Sequence, residues 1–365
     1  MNRKNVICLS WCDADDVVNY GQILQALAMM ELLRQETMGE IKYLSYSARG
    51  IRSRLKYFYD HVNNKNGHFT AYKKTRKTIK TVVKKNKVEF HQIQGKRIKN
   101  SLTSDIDILI CGSDQIWHPE NYNDNYFLGF GSNRMKRVAY AASLPKTHTE
   151  TQFTKQYSRM KTLLSKFDEI YVREPSSVPF VEKLSSQKVG FVMDPTFLVP
   201  VAFWNNMIEN MTLNNGYAFV YIPNGMNNDM VDIIQKIKET LNINDVYVMI
   251  TRGENLLSDA RMLNFVSVGQ FLYLIRNAKC VITSSFHAVV FSTIFHTDFY
   301  AYDVENKTRG EDIRLSDILM MLGLENKRID LSRKIDQSAV DYAMVDSKIE
   351  EYKKKSIDIL KKCME

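Results

Sequence analysis

The chain lacks any run of about 18 apolar residues, the length a helix needs to cross a bilayer. Its richest stretch, Val281 to Phe295, is broken by Thr283, Ser284, Ser285 and His287. Proline (7) and glycine (15) are sparse among 365 residues, which excludes collagen-like and low-complexity chains. The five cysteines, at 8, 12, 111, 280 and 363, are odd in number and scattered, so they form no disulfide framework. The opening Val6-Ile7-Cys8-Leu9 is too short an apolar stretch for an export signal and reads as a first strand. Reduced thiols and a cytoplasmic location follow as expectations. Catalytic signatures are missing too: there is no Gly-x-Ser-x-Gly elbow and no P-loop lysine pattern. Asp13, Asp15 and Asp16 lack the glycine and terminal glutamate of a calcium loop, and Cys8 with Cys12 lacks a second ligand pair. No metal and no cofactor are expected.

Acids are scarce in one segment. Between Arg49 and Lys99 stand 16 Lys/Arg against two acids, a net +14; with +9 for the whole chain, the remainder is −5. The basicity belongs to one insertion in the first half, 49–100. Its aromatic residues Tyr57, Phe58, Tyr59, Phe69 and Tyr72 point to a partly packed helical segment. It is either a solvated face or an attachment to something anionic, such as a membrane surface or an acidic saccharide. Nucleic acid is not expected, because no helix-turn-helix, ribonucleoprotein or zinc-finger pattern is present.

What the chain does have is alternation. Strand-like runs at 6–9, 41–46, 106–111, 138–142, 169–172 and 190–193 are separated by helix-length periodic segments. Asp194-Pro195-Thr196 and Pro200 punctuate the chain, and the alternation restarts beyond them, with strands at 217–222, 246–250, 280–282 and 299–301. Two α/β domains are expected, 1–195 and 196–365, each with a largely parallel sheet, and the last helix packing back on the first domain. Ligands in such folds sit at the carboxyl ends of strands.

Polar residues crowd those ends. Asn19-Tyr20-Gly21 opens the first helix, whose free amides suit an anion. Ser113, Asp114, Gln115 and Trp117 follow a strand and suit sugar hydroxyls and a sugar face. Arg173 stands at a helix entrance, suited to forked recognition of carboxylate or phosphate, or simply paired with Glu174. Thr283-Ser284-Ser285-Phe286-His287 ends a strand with hydroxyls and a histidine, the usual acid or base near neutral pH.

In this order the motifs resemble the polysaccharide pyruvyl transferase family. Asn19-Tyr20-Gly21 with Leu24-Gln25-Ala26, Gly112-Ser113-Asp114-Gln115 with Trp117, and Ala139 to Ser143 carry the first part. Val172-Arg173-Glu174, Asp194-Pro195-Thr196, Ser285-Phe286-His287 with Phe291-Ser292, and Arg314 with Gly323-Leu324 and Arg328 carry the rest. The resemblance implies two Rossmann-like domains facing across a cleft, as in glycosyltransferase-B-like folds. It implies transfer of pyruvate from phosphoenolpyruvate onto two sugar hydroxyls, giving a cyclic ketal and phosphate in exopolysaccharide or capsule synthesis.

On that reading His287, Arg173 and Asp114 are catalytic. Arg173, Ser284, Ser285, His287, Asn19, Gly21 and Arg314 bind the donor, with Arg309 a further candidate, and Ser113, Asp114, Gln115 and Trp117 bind the acceptor. Some members carry Arg-Leu-His where this chain has Ser285-Phe286-His287, so one anion contact must come from elsewhere. Ala288 replaces the glycine of most members. The acceptor would be a saccharide, polymeric or lipid-linked, the latter met at the inner face of the membrane through residues 49–100. A nucleotide-sugar glycosyltransferase on the same scaffold and a non-enzymatic anion-binding module remain as alternatives.

Overall fold

A computed structural model describes residues 3–12, 19–46, 68–93, 98–144, 153–251, 255–263, 266–302, 313–330, 332 and 335–365. Asp13, Asp15, Asp16, Arg309 and the first part of the basic segment lie outside the described residues.

The first half runs β1 (Val6–Leu9), α1 (Tyr20–Glu36), β2 (Ile41–Tyr46), α2 (His68–Lys85), β3 (Val88–Ile93) and β4 (Ile108–Cys111). It continues with β5 (Lys136–Ala142), α3 (Thr154–Leu164), β6 (Glu169–Val172), α4 (Val178–Ser185) and β7 (Gly190–Phe191). Two short helices, α5 (Pro195–Leu198) and α6 (Val201–Asn205), lead to the second half. There follow β8 (Ala218–Tyr221), α7 (Asn228–Leu241), β9 (Val246–Met249), β10 (Arg261–Met262), α8 (Val268–Arg276) and β11 (Cys280–Thr283). The chain closes with α9 (Phe286–Ile294), β12 (Phe299–Tyr302), α10 (Ile313–Leu322), β13 (Arg328–Ile329) and α11 (Tyr342–Cys363).

The seven-stranded sheet has the order β3-β2-β1-β4-β5-β6-β7 and the six-stranded one β10-β9-β8-β11-β12-β13. Every pairing between these strands is parallel. Each sheet starts at an inner strand and reverses direction beside it, between β1 and β4 and between β8 and β11. Those two switch points open the crevices in which such sheets take ligands. The buried runs Val-Ile-Cys-Leu of β1 and Ile-Leu-Ile-Cys of β4 are what a parallel sheet covered on both faces requires.

The basic segment contains α2, as its helical reading requires, and also the edge strand β3, which pairs in register with β2 from Ile41↔Val88 to Tyr46↔Ile93. Much of it is therefore the regular crossover of the sheet. Ala71, Thr75, Ile79 and Val82 turn inward on α2, while Lys73, Lys77, Lys80 and Lys84 are exposed.

The halves share one core. Helix α1 is buried on nearly all sides, as a helix between two layers must be. Its Tyr20 stacks on Phe271 at 4.4 Å and donates to the Val266 carbonyl of the second half. Val268 N donates to Thr75 Oγ1 on α2. Helix α11 spans both halves. Tyr342 Oη donates to Thr297 O and His296 Nε2 lies 3.0 Å from Asp346 in the second half. Tyr140 Oη donates to Ser356 O, and Met193 N to Ser356 Oγ, in the first.

Candidate active site

The carboxyl ends of β1 and β4 meet at the first switch point. Ser10 Oγ donates to the Ser113 carbonyl at 2.5 Å, and Gln25 Nε2 of α1 reaches Ser10 Oγ and the Trp11 carbonyl. The loop after β4 is strained: Asp114 has φ +82°, and across from it Ala141 has φ +58° where β5 bulges against β6. A non-glycine residue in the left-handed region is costly and is retained where the surroundings over-determine it. The bulge re-aims the end of β5, and Ser143 N donates to the Asp114 carbonyl.

The next strand end contributes Arg173. Its Nε donates to Glu174 Oε1 at 2.8 Å, and its Nη1 to Asp194 Oδ2 at 3.1 Å and, at the limit of hydrogen bonding, to Ser113 Oγ. Phe286, from the second half, lies face-on to the guanidinium at 4.1 Å. Asp194 is the hub. Its Oδ1 accepts from Thr196 N and Oγ1, and its Oδ2 accepts from Ser113 Oγ at 2.7 Å. His287 Nε2 stands 3.7 Å from Oδ2, at ion-pair distance and longer than a hydrogen bond. Arg173 and His287 thus converge from opposite halves on one carboxylate oxygen.

Gly21 completes the contact. A Cβ placed there would lie 2.2 Å from His287 Nδ1, so the ring sits on the backbone of the first turn of α1. His287 itself is in the first turn of α9. The amino ends of two helices therefore meet, each with unpaired amides and the positive end of its dipole.

Burial would raise the Asp194 carboxyl, but His287, Arg173 and Ser113 outweigh it and hold that group well below the usual carboxylate range. Burial pushes the Glu174 carboxyl up against the opposing pull of Arg173 and Arg314. The Arg173 guanidinium stays charged: burial works against it, and Glu174, Asp194 and Asp114 override that. Within this cluster, and among the described residues, Arg173 Nη2, Glu174 Oε2, His287 Nε2, Ser143 Oγ and Gln25 Oε1 are buried without a hydrogen-bond partner. Unmet buried polar atoms are rare in folded proteins, and several in one place call for an explanation such as a ligand, an ion or an ordered water.

The sequence candidates divide accordingly. Ser113, Arg173, Gly21 and His287 are brought together, with Asp114 beside them. Arg173 is no open fork: two of its nitrogens are committed to Glu174 and Asp194, and one remains for a ligand. Asn19 is exposed and caps α1 by accepting from Gln22 N. Ser284, Ser285, Gln115 and Arg314 are half-buried; Ser285 stands at the N-cap position of α9 without a side-chain capping bond, and Arg314 lies close enough to Glu174 to pull against its raised pKa. Trp117 is corrected. It has no accessible surface, stacks on Phe127 at 5.3 Å and donates its indole N–H to the Tyr126 carbonyl. It is a core residue and offers no face to a sugar.

Asp194 and Ser10 were missed as site residues. Asp-Pro-Thr reads as punctuation and as one of the motifs that carry the family resemblance, with no role given to the carboxylate itself. The cysteines are all buried and free, and burial raises the thiols of Cys8, Cys111 and Cys280, which removes them as nucleophiles. Among the described residues no cluster of His, Cys, Asp and Glu could hold a metal ion.

Residues 19–306 match the sequence model of the family described as polysaccharide pyruvyl transferase. The fold is similar to that of S. aureus MnaA solved with UDP, at 9% identity and a TM-score of 0.50, over 95% of this chain and 87% of that one. A UDP-N-acetylglucosamine 2-epimerase from Rickettsia bellii is 12% identical with a TM-score of 0.47, over 98% of each chain. The corresponding Neisseria meningitidis enzyme bound to UDP-GlcNAc is 8% identical with a TM-score of 0.48, over 95% of this chain and 99% of that one. At such identities the likeness to S. aureus MnaA speaks for the fold alone, glycosyltransferase-B-like with two facing halves. No curated protein is matched.

Proposed function

Because the chain belongs to the polysaccharide pyruvyl transferase family, and is a transferase, we propose that it moves pyruvate from phosphoenolpyruvate onto two hydroxyls of a saccharide. The observation that carries this reading is the convergence of Arg173 and His287 on Asp194 at the meeting of two helix amino ends. The donor bears a carboxylate and a phosphate. Arg173 Nη2, the first-turn amides of α1 and α9, and Arg314 beside Glu174 supply the positive groups, with Ser284 and Ser285 at the rim. Asn19 shapes the start of α1 rather than gripping the donor with its capped side chain.

In the first step a sugar hydroxyl adds to C2 of the enol phosphate while C3 takes a proton and becomes a methyl group. In the second, a neighbouring hydroxyl attacks C2 and the C2–O bond to phosphate breaks, closing the ketal and releasing phosphate. No oxidation occurs, and the two hydroxyl protons end on C3 and on phosphate. His287 carries protons between these atoms, and Asp194 beside it balances the charge of a protonated imidazole. Asp114 accepts from or orients the incoming hydroxyl, with Ser113 and Gln115 on the same loop. One positioned acid–base group contributes roughly 10²–10⁴-fold.

The exposed lysines of α2 favour a second element of the reading, docking on an anionic membrane that bears a lipid-linked acceptor. Tyr72, Lys73, Arg76, Lys77, Lys80, Thr81 and Lys84 line a shallow concavity that shares no residue with the Arg173–His287 cluster. Among the described residues no helix is long and apolar enough to cross a membrane, so attachment would be through charge.

The test is incubation of the purified protein with phosphoenolpyruvate and candidate acceptors. Phosphate release that depends on acceptor, with a pyruvate ketal on the product, is expected. Nucleotide release from a sugar nucleotide, with no phosphate from phosphoenolpyruvate, would assign a glycosyltransferase instead.

A further inference from the structure

With Trp117 in the core, the saccharide has lost its expected aromatic surface, and the same rim of the sheet provides another. Trp11 follows β1, Tyr46 ends β2, and Tyr126 comes from the loop after β4. Tyr126 is buried and forms a central post. Trp11 meets it edge-on at 6.0 Å and Tyr46 at 5.6 Å, and both flanking rings are half-buried. The Tyr46 hydroxyl is held by Asn125 Nδ2, and the loop after β1 is tied to β2 by Cys12 N donating to Ser45 Oγ. The two rings are therefore fixed in place while part of each remains in water. Among the described residues no partner is recorded for the Trp11 indole N–H.

This pair is linked to the site. The Trp11 carbonyl accepts from Gln25 Nε2, which also contacts Ser10 Oγ; Ser10 in turn bonds Ser113 O, and Ser113 Oγ bonds Asp194. A pyranose has apolar C–H faces and a belt of hydroxyls. A rigid, half-exposed indole with a spare N–H beside a phenol ring matches both.

We propose that Trp11 and Tyr46 form the platform on which the acceptor sugar ring lies while its hydroxyls reach toward Asp114 and His287. The proposal deepens the pyruvyl-transfer reading and rests on it for the identity of the occupant as a saccharide.

The test uses the intact protein and its own fluorescence. Of the three tryptophans, Trp117 and Trp204 have no accessible surface, so acrylamide quenching reports Trp11. Methyl glycosides of glucose, galactose, mannose, N-acetylglucosamine and N-acetylmannosamine are added in turn, without phosphoenolpyruvate. At least one is expected to shield Trp11 saturably, and Tyr46→Ala to weaken that shielding about tenfold, the scale of one lost aromatic contact. Where turnover is measurable, Trp11→Ala raises the acceptor KM about tenfold and leaves the phosphoenolpyruvate KM unchanged, and Trp11→Phe recovers most of the loss. Shielding by no glycoside, or an acceptor KM unmoved by Trp11→Ala, overturns the platform. Shielding in a protein that releases no phosphate from phosphoenolpyruvate keeps the platform and rejects pyruvyl transfer, so the two failures are distinguishable.

Discussion

Gly21 has a consequence at the scale of a single atom. Helix α1 tolerates a Cβ at most positions, but at this one a methyl group would stand 2.2 Å from the imidazole. The ring is buried between α1 and Asp194 and cannot swing away without leaving the carboxylate. Gly21→Ala is therefore expected to fold and yet to lose most of its kcat in the phosphate-release assay. Full activity in that variant would mean that the observed seat of His287 is not the working one.

Asp194 makes a second residue-scale prediction, on stability against pH. Its folded pKa is depressed, so its contribution is fully present above the ordinary value of about 4. That contribution is lost as the pH falls below it toward the folded value. Urea unfolding of the wild type should weaken steeply on acidification below about pH 4. Asp194→Asn starts less stable, because Arg173 and His287 lose the carboxylate charge that faces them, and should show a shallower decline. Equal slopes would contradict the ion-pair account.

His287 and Arg173 were legible as candidates because histidine and arginine after a strand are few and chemically pointed. Their meeting was not legible. It depends on Asp194, which in sequence marks a boundary, and on a glycine whose meaning is a neighbour 266 positions away. Trp117 shows the opposite failure: a tryptophan beside polar residues reads as a sugar binder, and only its burial reveals a packing role.

At the scale of the element, β3 was obscured by its company. Val88-Glu89-Phe90-His91-Gln92-Ile93 lies in the most basic part of the chain, where composition argues for a solvated helix. Pairing with β2 overrides that weak preference. Helix α2 is amphipathic in the ordinary way, and its outer face carries the charge. Reversing Lys77, Lys80 and Lys84 to glutamate should abolish sedimentation with phosphatidylglycerol vesicles at low salt. Turnover of a small soluble acceptor should be unchanged, since none of the three touches the site. Unaltered vesicle binding would remove α2 as the membrane contact.

For the whole molecule, alternation of strands and helices on both sides of Asp194-Pro195 made the two sheets readable. Their facing arrangement came from buried contacts between distant segments, such as Tyr20 on Phe271 and Phe286 over Arg173. Helix α11 holds both halves, so the site is assembled by the fold and not by one domain.

A crystal structure of the protein with phosphoenolpyruvate bound addresses that assembly most directly. The donor should lie between the first turns of α1 and α9, with an acidic oxygen on Arg173 Nη2 and its methylene carbon beside the His287 ring. A donor held anywhere else, with Nη2 still facing no ligand atom, would contradict the account.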